Sequence, residues 1–258
     1  MSRTVLAPER QLQILTLLEE RGTVRTIDLA EEFQVTDETI RRDLQILAEN
    51  QQLNRVHGGA SSLNGRPKLQ SFTERRLLEV DKKEAIAGAA LHLIQPGDTY
   101  AFDSSTTGFA LVNRLPDLPF RVLTNAYAVL DQLVSKEQIE LISTGGAYHP
   151  KTQTFISGDS YNMLRRHNIN CAFVSCIGLD LSRGPSEGFE QQAVFKETLV
   201  QFAQRVVLLV DSTKFNQHSE YFFASLRDIS EIITDSAADP EFVEDLRTRG
   251  CTVTIANP

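Results

Sequence analysis

VTDETIRRDLQILAENQQLNRVHGGA, residues Val35–Ala60, is the stretch that decides how this chain begins. Ile40, Leu44 and Leu47 recur at i, i+4, i+7, which predicts a helix with one apolar face. On a 3.6-residue wheel Glu38, Arg42 and Gln45 lie opposite, with Thr39 and Arg41 on the flanks. Arg, Thr and Gln on an outer face suit phosphates and base edges. Thr36 stands at the N-cap, and Asp37 and Glu38 suit the positive first turn. Upstream, Glu9–Arg21 reads as an amphipathic helix with Leu12, Leu15 and Leu18 on its core stripe and Gly22 as a stop. Thr26–Phe33 reads as a short helix, Thr26 at its cap and Leu29, Ala30 and Phe33 inward. Gln34-Val35 is a tight turn. Helix, helix, tight turn, helix is the helix-turn-helix order. Downstream, Gln52–Val56 reads as a strand and His57-Gly58-Gly59 as a turn. Together they form a wing that brings Arg55 and His57 to the sugar-phosphate backbone or a minor groove. The expected DNA-binding set is Thr36, Glu38, Thr39, Arg41, Arg42, Gln45, Arg55, His57 and Gly58. A protein-binding three-helix bundle is the bland alternative; the paired arginines and the Arg-x-His-Gly-Gly wing favour DNA.

The 258 residues suffice for one small and one medium domain, and 41% hydrophobic content builds ordinary cores. A net charge of -8 argues against coating nucleic acid through bulk charge. It is compatible with a local arginine cluster, steep salt dependence and a dimer. Cys171, Cys176 and Cys251 form no C-x-x-C pair and read as buried free thiols. His57, His92, His149, His167 and His218 lack ligand spacing, so no metal or cofactor is expected. No segment reads as a signal peptide or a membrane span, so a soluble cytoplasmic protein is expected, without membrane partners.

Residues 61–71, SSLNGRPKLQS, have linker chemistry. The expected division is a winged helix-turn-helix domain over 1–60, the linker, and an α/β domain over 72–258. Phe72–Leu93 reads as helical, followed by a turn at Gln95–Asp98. Then apolar strands (TYAFD, FRVLTN, IELISTGG, CAFVSCIGL, RVVLLVD, EIITD) alternate with helices at Thr107–Arg114, Ala126–Val134, Ser160–His167 and Gln191–Ala203. This pattern indicates a parallel sheet covered on both faces.

Ligands bind at strand tips in such sheets. The tips here are Asp103-Ser104-Ser105-Thr106-Thr107 before a helix, Thr124-Asn125, Thr144-Gly145-Gly146, and Asp211-Ser212-x-Lys214. Hydroxyls at a helix start suit a phosphate, and glycines admit close approach. Lys196 is a further cation. Glu187 and Glu190, in the loop SRGPSEGFE, suit sugar hydroxyls or the surface, the surface slightly favoured for Glu190. Singly, each tip is a cap, a turn or a salt-bridged loop. Together they suit a small polyhydroxylated anion.

At this point the residues resemble the DeoR family of bacterial transcriptional regulators, the group that includes the glycerol-3-phosphate repressor. The signature runs through Arg10, Ile14, Leu18, Gly22, Leu29-Ala30, Phe33, Val35, Thr39-Ile40-Arg41-Arg42-Asp43-Leu44 and Arg55-x-His57-Gly58-Gly59-Ala60. It continues through Phe72-x-x-Arg75, Lys83-x-x-Ile86-Ala87, Asp103-x-x-Thr106-Thr107, Thr124-Asn125, Gly145-Gly146, Gly158, Gly178, Lys196 and Asp211-Ser212-x-Lys214. The resemblance implies a winged helix joined to a sensor domain of the ribose-5-phosphate-isomerase/CoA-transferase type. It implies a repressor, not an enzyme, with double-stranded operator DNA as partner, a phosphorylated sugar or related metabolite as effector (a non-phosphorylated or acidic sugar being the alternative), and a dimer or tetramer. The expected effector set is Asp103, Ser104, Ser105, Thr106, Thr107, Thr124, Asn125, Gly145, Gly146, Glu187, Lys196, Asp211 and Lys214. An isomerase-like enzyme and an activator or dual regulator are the rival readings. Ser105 and Gln51 stand where the family often has Gly, and SRGPSEGFE departs from the common version. Effector specificity is expected to differ there.

Overall fold

The computed structural model describes residues 7–50, 52–56, 58–62 and 70–257. The chain divides into two compact units, Met1–Gln70 and Ser71–Pro258. Most of the expected linker, 63–69, lies outside the described residues.

The first unit has α1 (Ala7–Arg21), β1 (Thr23–Arg25), α2 (Thr26–Phe33), α3 (Asp37–Glu49), β2 (Leu53–Val56) and β3 (Gly59–Ser62). Ile14, Leu18, Leu29, Ile40, Leu44 and Leu47 fill its core. Full burial of one such side chain contributes about 1.5–3 kcal/mol. The stripe of α1 is corrected: Arg10, Ile14 and Leu18 are buried, while Leu12 is 66% exposed. Steps of three residues fall short of a full turn, so Leu12 lies about 120° round the helix from Leu18. Thr26 is also corrected. It is the buried first residue of α2, and Arg25 is the N-cap, without a side-chain cap bond. The reason is β1, a strand the sequence did not signal, which runs directly into α2. Gln34 closes α2 in the left-handed region at φ 54.

The order β1-β3-β2 makes an antiparallel wing sheet. Gly59 is required where β3 crosses β1, because a Cβ there would stand 1.9 Å from the Val24 carbonyl oxygen.

In the second unit the single expected helix over Phe72–Leu93 breaks into α4 (Phe72–Arg76) and α5 (Val80–Ala90), with Glu79 between them at φ 49. There follow β4 (Thr99–Phe102), α6 (Thr106–Val112), β5 (Phe120–Thr124), α7 (Tyr127–Leu133), β6 (Ile139–Ser143), β7 (Ala147–His149), β8 (Thr154–Ile156) and α8 (Ser160–Arg165). Then come β9 (Ile169–Val174), β10 (Gly178–Asp180), β11 (Gly184–Glu187), α9 (Glu190–Phe202), β12 (Ala203–Leu209), β13 (Tyr221–Phe222), β14 (Glu231–Asp235), α10 (Pro240–Thr248) and β15 (Val253–Ala256).

Seven parallel strands order as β15-β14-β12-β9-β4-β5-β6. One apolar cluster packs residues of α5, α6 and α7 on the sheet; a second packs residues of α8, α9 and α10. From β4 the chain winds outward through β5 and β6, then returns to place β9 on the other side of β4. That reversal is a topological switch point, where open α/β sheets bind ligands at the carboxyl ends. CAFVSCIGL is not one strand: β9 ends at Val174, and β10 belongs to a separate antiparallel sheet, β10-β11-β13.

Candidate functional site

In the first unit α3 presents one sealed face and one open face. Asp43, 3% exposed, accepts from Arg10 Nε at 2.6 Å and from Gln11 Nε2 at 2.9 Å, tying α3 to α1. Opposite, Glu38, Arg41, Arg42 and Gln45 are exposed and Thr39 is half-buried. Thr36 caps the helix: its Oγ1 accepts from Thr39 N at 3.3 Å and lies 2.9 Å from the Thr39 hydroxyl. Gln45 donates to Glu49 one turn on, at 2.9 Å. Neither Arg41 nor Arg42 makes an ion pair among the described residues. Glu49 ends α3 and Asn50 is its C-cap; Gln51 lies outside the described residues. In the wing Arg55 is exposed and donates from Nη1 to the Gly59 carbonyl at 3.1 Å, and Gly58 takes φ +78. His57 lies outside the described residues.

In the second unit the strand tips meet around a buried charge cluster. Asp103, after β4, accepts from Ser105 N and Ser175 N, both at 2.9 Å, and lies 3.1 Å from Lys196 Nζ. Lys196 also pairs with Glu187 and donates to the Ser175 carbonyl at 2.6 Å. Its three donors are therefore taken. Burial opposes its charge, but Glu187 and Asp103 outweigh burial and raise its pKa. Lys196 thus serves as a buried strut, not as a free cation for an anion. Glu187 is likewise corrected from a loop residue to a buried strand residue, 3% exposed. Gly184, at φ +86, lets β11 approach the Ala224 carbonyl, a backbone contact that SRGPSEGFE does not signal. Glu190 is exposed.

The loop that follows β4 is organised by its own side chains. Ser105 Oγ caps α6, accepting from Gly108 N at 3.0 Å, and Ser104 Oγ donates to Gln192 Oε1 at 2.7 Å. Thr106 is buried in the first turn of α6, and Thr124 Oγ1 donates to the Phe102 carbonyl at 2.8 Å. Gly145 faces open space at φ +66. Gly146 instead makes room for β8: a Cβ there would stand 2.2 Å from the Ile156 carbonyl oxygen.

Beyond β12, Lys214 Nζ lies 3.2 Å from Asp211 and 3.5 Å from Ser175 Oγ, with a side chain 20% exposed. Asp211 is held below the usual carboxylate range: burial opposes its charge, but Lys214, the Thr213 hydroxyl and Lys83 outweigh it.

Lys83 was not among the expected site residues. It is 6% exposed, donates to the carbonyls of Arg75 (2.6 Å) and Leu78, and has its pKa pushed down to about 8 by burial and then by the charge of Lys214. The available signal was a lysine on the apolar stripe Lys83, Ile86, Ala87, Ala90. Gln192 and Ser175 were also missed, because neither carries a motif.

Five buried side-chain atoms among the described residues have no hydrogen-bond partner: Thr107 Oγ1, Asn125 Oδ1, Thr144 Oγ1, Gln192 Nε2 and Thr234 Oγ1. The first three follow the tips of β4, β5 and β6; Gln192 is bonded to Ser104; Thr234 is the penultimate residue of β14. Thr107, Asn125 and Thr144 thus follow three strands that are neighbours in the sheet, β4, β5 and β6.

The geometry agrees with comparisons to known proteins. Residues 10–66 match the DeoR-like helix-turn-helix domain, and residues 78–236 match the DeoR C-terminal sensor domain. The chain is 34% identical to the L-fucose operon activator of Haemophilus influenzae, over 86% of this chain and 89% of that one. It is 30% identical to the HTH-type transcriptional repressor GlcR of Bacillus subtilis, over 94% of this chain and 93% of that one. Among solved structures, ribose 5-phosphate isomerase A from Methanocaldococcus jannaschii is similar with a TM-score of 0.40 and 15% identity, over 53% of this chain and 54% of that one.

Proposed function

The chain belongs to the DeoR family of helix-turn-helix transcriptional regulators, and on that premise we propose that it represses a sugar-catabolic operon and leaves its operator when a phosphorylated sugar binds. The observation that carries the effector reading is the set of orphaned polar atoms at Thr107, Asn125 and Thr144. Lys214 and Lys83 supply cations for the phosphate, and their mutual repulsion is relieved when a dianion arrives. Asp211 and the orphaned hydroxyls and amides take the sugar hydroxyls. On the DNA side, Arg41 and Arg42 contact phosphates or guanine edges, Thr39, Gln45 and Glu38 lie against the bases, and Arg55, His57 and Gly58 follow the backbone. A dimer or tetramer places two recognition helices on a repeated operator. The effector binds the DNA-free arrangement more tightly, as linkage requires.

Similarity to the L-fucose operon activator of Haemophilus influenzae favours an activator as the second reading, since operator position decides the sign. An isomerase-like activity is disfavoured. A catalytic base needs a carboxylate free to reach substrate, and Asp103 and Glu187 are both bound to Lys196. The deciding test is operator-fragment binding titrated with sugar phosphates. Release by a phosphate ester but not by its free sugar supports the proposal; release by a free sugar or a sugar acid alone overturns the phosphate assignment.

A further inference from the structure

The cleft proposed above for the phosphate, at the strand tips around Lys214, does not account for a half-open pocket of about 300 Å³ lined by residues of β8, α8, the first turns of α9 and the tip of β5. Asn125 is the residue that the cavity shares with the cleft, and its Oδ1 is buried without a partner. Of the remaining walls, Tyr161, Val194 and Phe195 give apolar surface, Glu190 and Gln191 bring a carboxylate and an amide, and Ser157, Ser160 and Thr198 add hydroxyls. No Lys, Arg or His lines it among the described residues.

These facts select the ligand. An anion would meet the Glu190 carboxylate with no cation to offset it. The unpartnered Asn125 Oδ1 calls for an N–H or O–H donor. A mainly apolar wall with a few polar groups is ordinary small-molecule lining, and this volume stands at the low end of the roughly 300–1,000 Å³ range for such pockets. We propose that this cavity is a specificity subsite for the uncharged end of the effector, a monosaccharide ring that lays its C–H face on Tyr161 and Phe195 and donates hydroxyls to Asn125 and Glu190. The proposal rests on the reading of the neighbouring cleft as the phosphate site. It also relocates selectivity from the SRGPSEGFE segment, part of which is a buried strand, to the walls of α8 and α9. Gln192 bonds Ser104 in the cleft while its neighbour Gln191 lines the cavity, so one turn of α9 touches both ends of a bound effector.

The test uses the full chain, with Val194→Trp to fill the cavity and Val194→Ala as the size control. Val194 is 54% exposed, so neither change disturbs the core. Binding is measured by calorimetry for inorganic phosphate, glucose 6-phosphate, fructose 6-phosphate, N-acetylglucosamine 6-phosphate and their free sugars. At least one hexose phosphate is expected to bind about tenfold tighter than inorganic phosphate, the scale of one buried hydrogen bond with its apolar contact. Val194→Trp is expected to erase that increment and leave phosphate binding unchanged; Val194→Ala, which trims the wall without filling the pocket, is expected to lower the increment by less. The subsite is overturned when no hexose phosphate exceeds inorganic phosphate, or when Val194→Trp retains the full increment. Failure of the cleft reading looks different: phosphate does not bind, yet a free sugar does and Val194→Trp abolishes it. That result upholds the subsite and removes the phosphate. Absence of binding by every probe removes both.

Discussion

The two units handle polar groups in opposite ways. Among the described residues the winged unit buries an ion pair, Asp43 with Arg10, adds a hydrogen bond from Gln11, and leaves Arg41 and Arg42 in solvent. The sensor unit also pairs buried charges, in the cluster Asp103–Lys196–Glu187, but keeps further polar atoms buried without a protein partner. An exposed arginine waits for DNA at little cost, because water solvates it. A buried orphan costs stability until its partner arrives. Under the proposed function the DNA reader is finished when folded, whereas the sensor is finished only when its effector binds, which would give that ligand leverage over the sensor's arrangement.

The largest expected effect comes from removing the shared strut. Lys196→Met leaves Asp103 and Glu187 buried without their cation and is expected to cost about 3–5 kcal/mol, the usual result of deleting one partner of a buried pair. Urea unfolding followed by circular dichroism measures it; a loss under about 1 kcal/mol, the level of a surface pair, would show that the cluster is hydrated. Asp43→Ala tests the same physics in the winged unit, where it removes the buried carboxylate that Arg10 and Gln11 bind. Next in size, Arg42→Ala is expected to weaken operator binding by about 1–3 kcal/mol with no change in unfolding midpoint. A variant that binds operator normally removes Arg42 from the interface.

The contrast also explains what was legible. The α3 reading survives in detail, from the Thr36 cap to the burial of Ile40, Leu44 and Leu47, because a helix in a small unit shows its periodicity directly. The parallel strands were legible as continuous apolar runs, and the tips as breaks in those runs. What escaped depends on long-range approach. β1 exists because it pairs with β3; β10 was read as the end of the strand CAFVSCIGL, and its partner β11, with Gly184 and Pro185, as loop; the β7–β8 hairpin and the C-terminal α10 and β15 were not read at all. The role of Lys196 escaped for the same reason: its carboxylates lie 93 and 9 positions away in the chain, so only folding shows that its donors are spent. Lys83 was hidden on an apolar stripe where a lysine looks like an exception.

A smaller effect tests Lys83. Its folded pKa, about 8, lies below the ordinary 10.5, so the free protein carries a penalty below pH 8 that disappears as pH rises toward 10.5. Effector binding has the opposite trend. It needs the ammonium, and a phosphate ester is already dianionic above its second pKa near 6. Affinity for glucose 6-phosphate is expected to fall severalfold from pH 7 to pH 9, and Lys83→Met to flatten that dependence. A flat profile in the unmodified protein would place Lys83 outside the anion's reach.

The smallest expected effect is the sharpest test of the comparison, because its two readouts move in opposite directions. Thr107 is fully buried, and its hydroxyl has no partner. Thr107→Val keeps the shape and removes the desolvated oxygen, so the free protein should gain about 1 kcal/mol, the lower end of the cost of an unsatisfied buried group. The same change deletes a partner for the ligand, so phosphate-ester binding should weaken. Thr234→Val, at the β14 end, is the control: it should stabilise similarly and leave binding alone unless the ligand extends to that strand. If Thr107→Val destabilises the free protein, its hydroxyl is satisfied without ligand, and the claim that the sensor stores unpaired groups for its effector fails at that position. A gain in stability with a loss of binding is the result that a merely structural threonine cannot give.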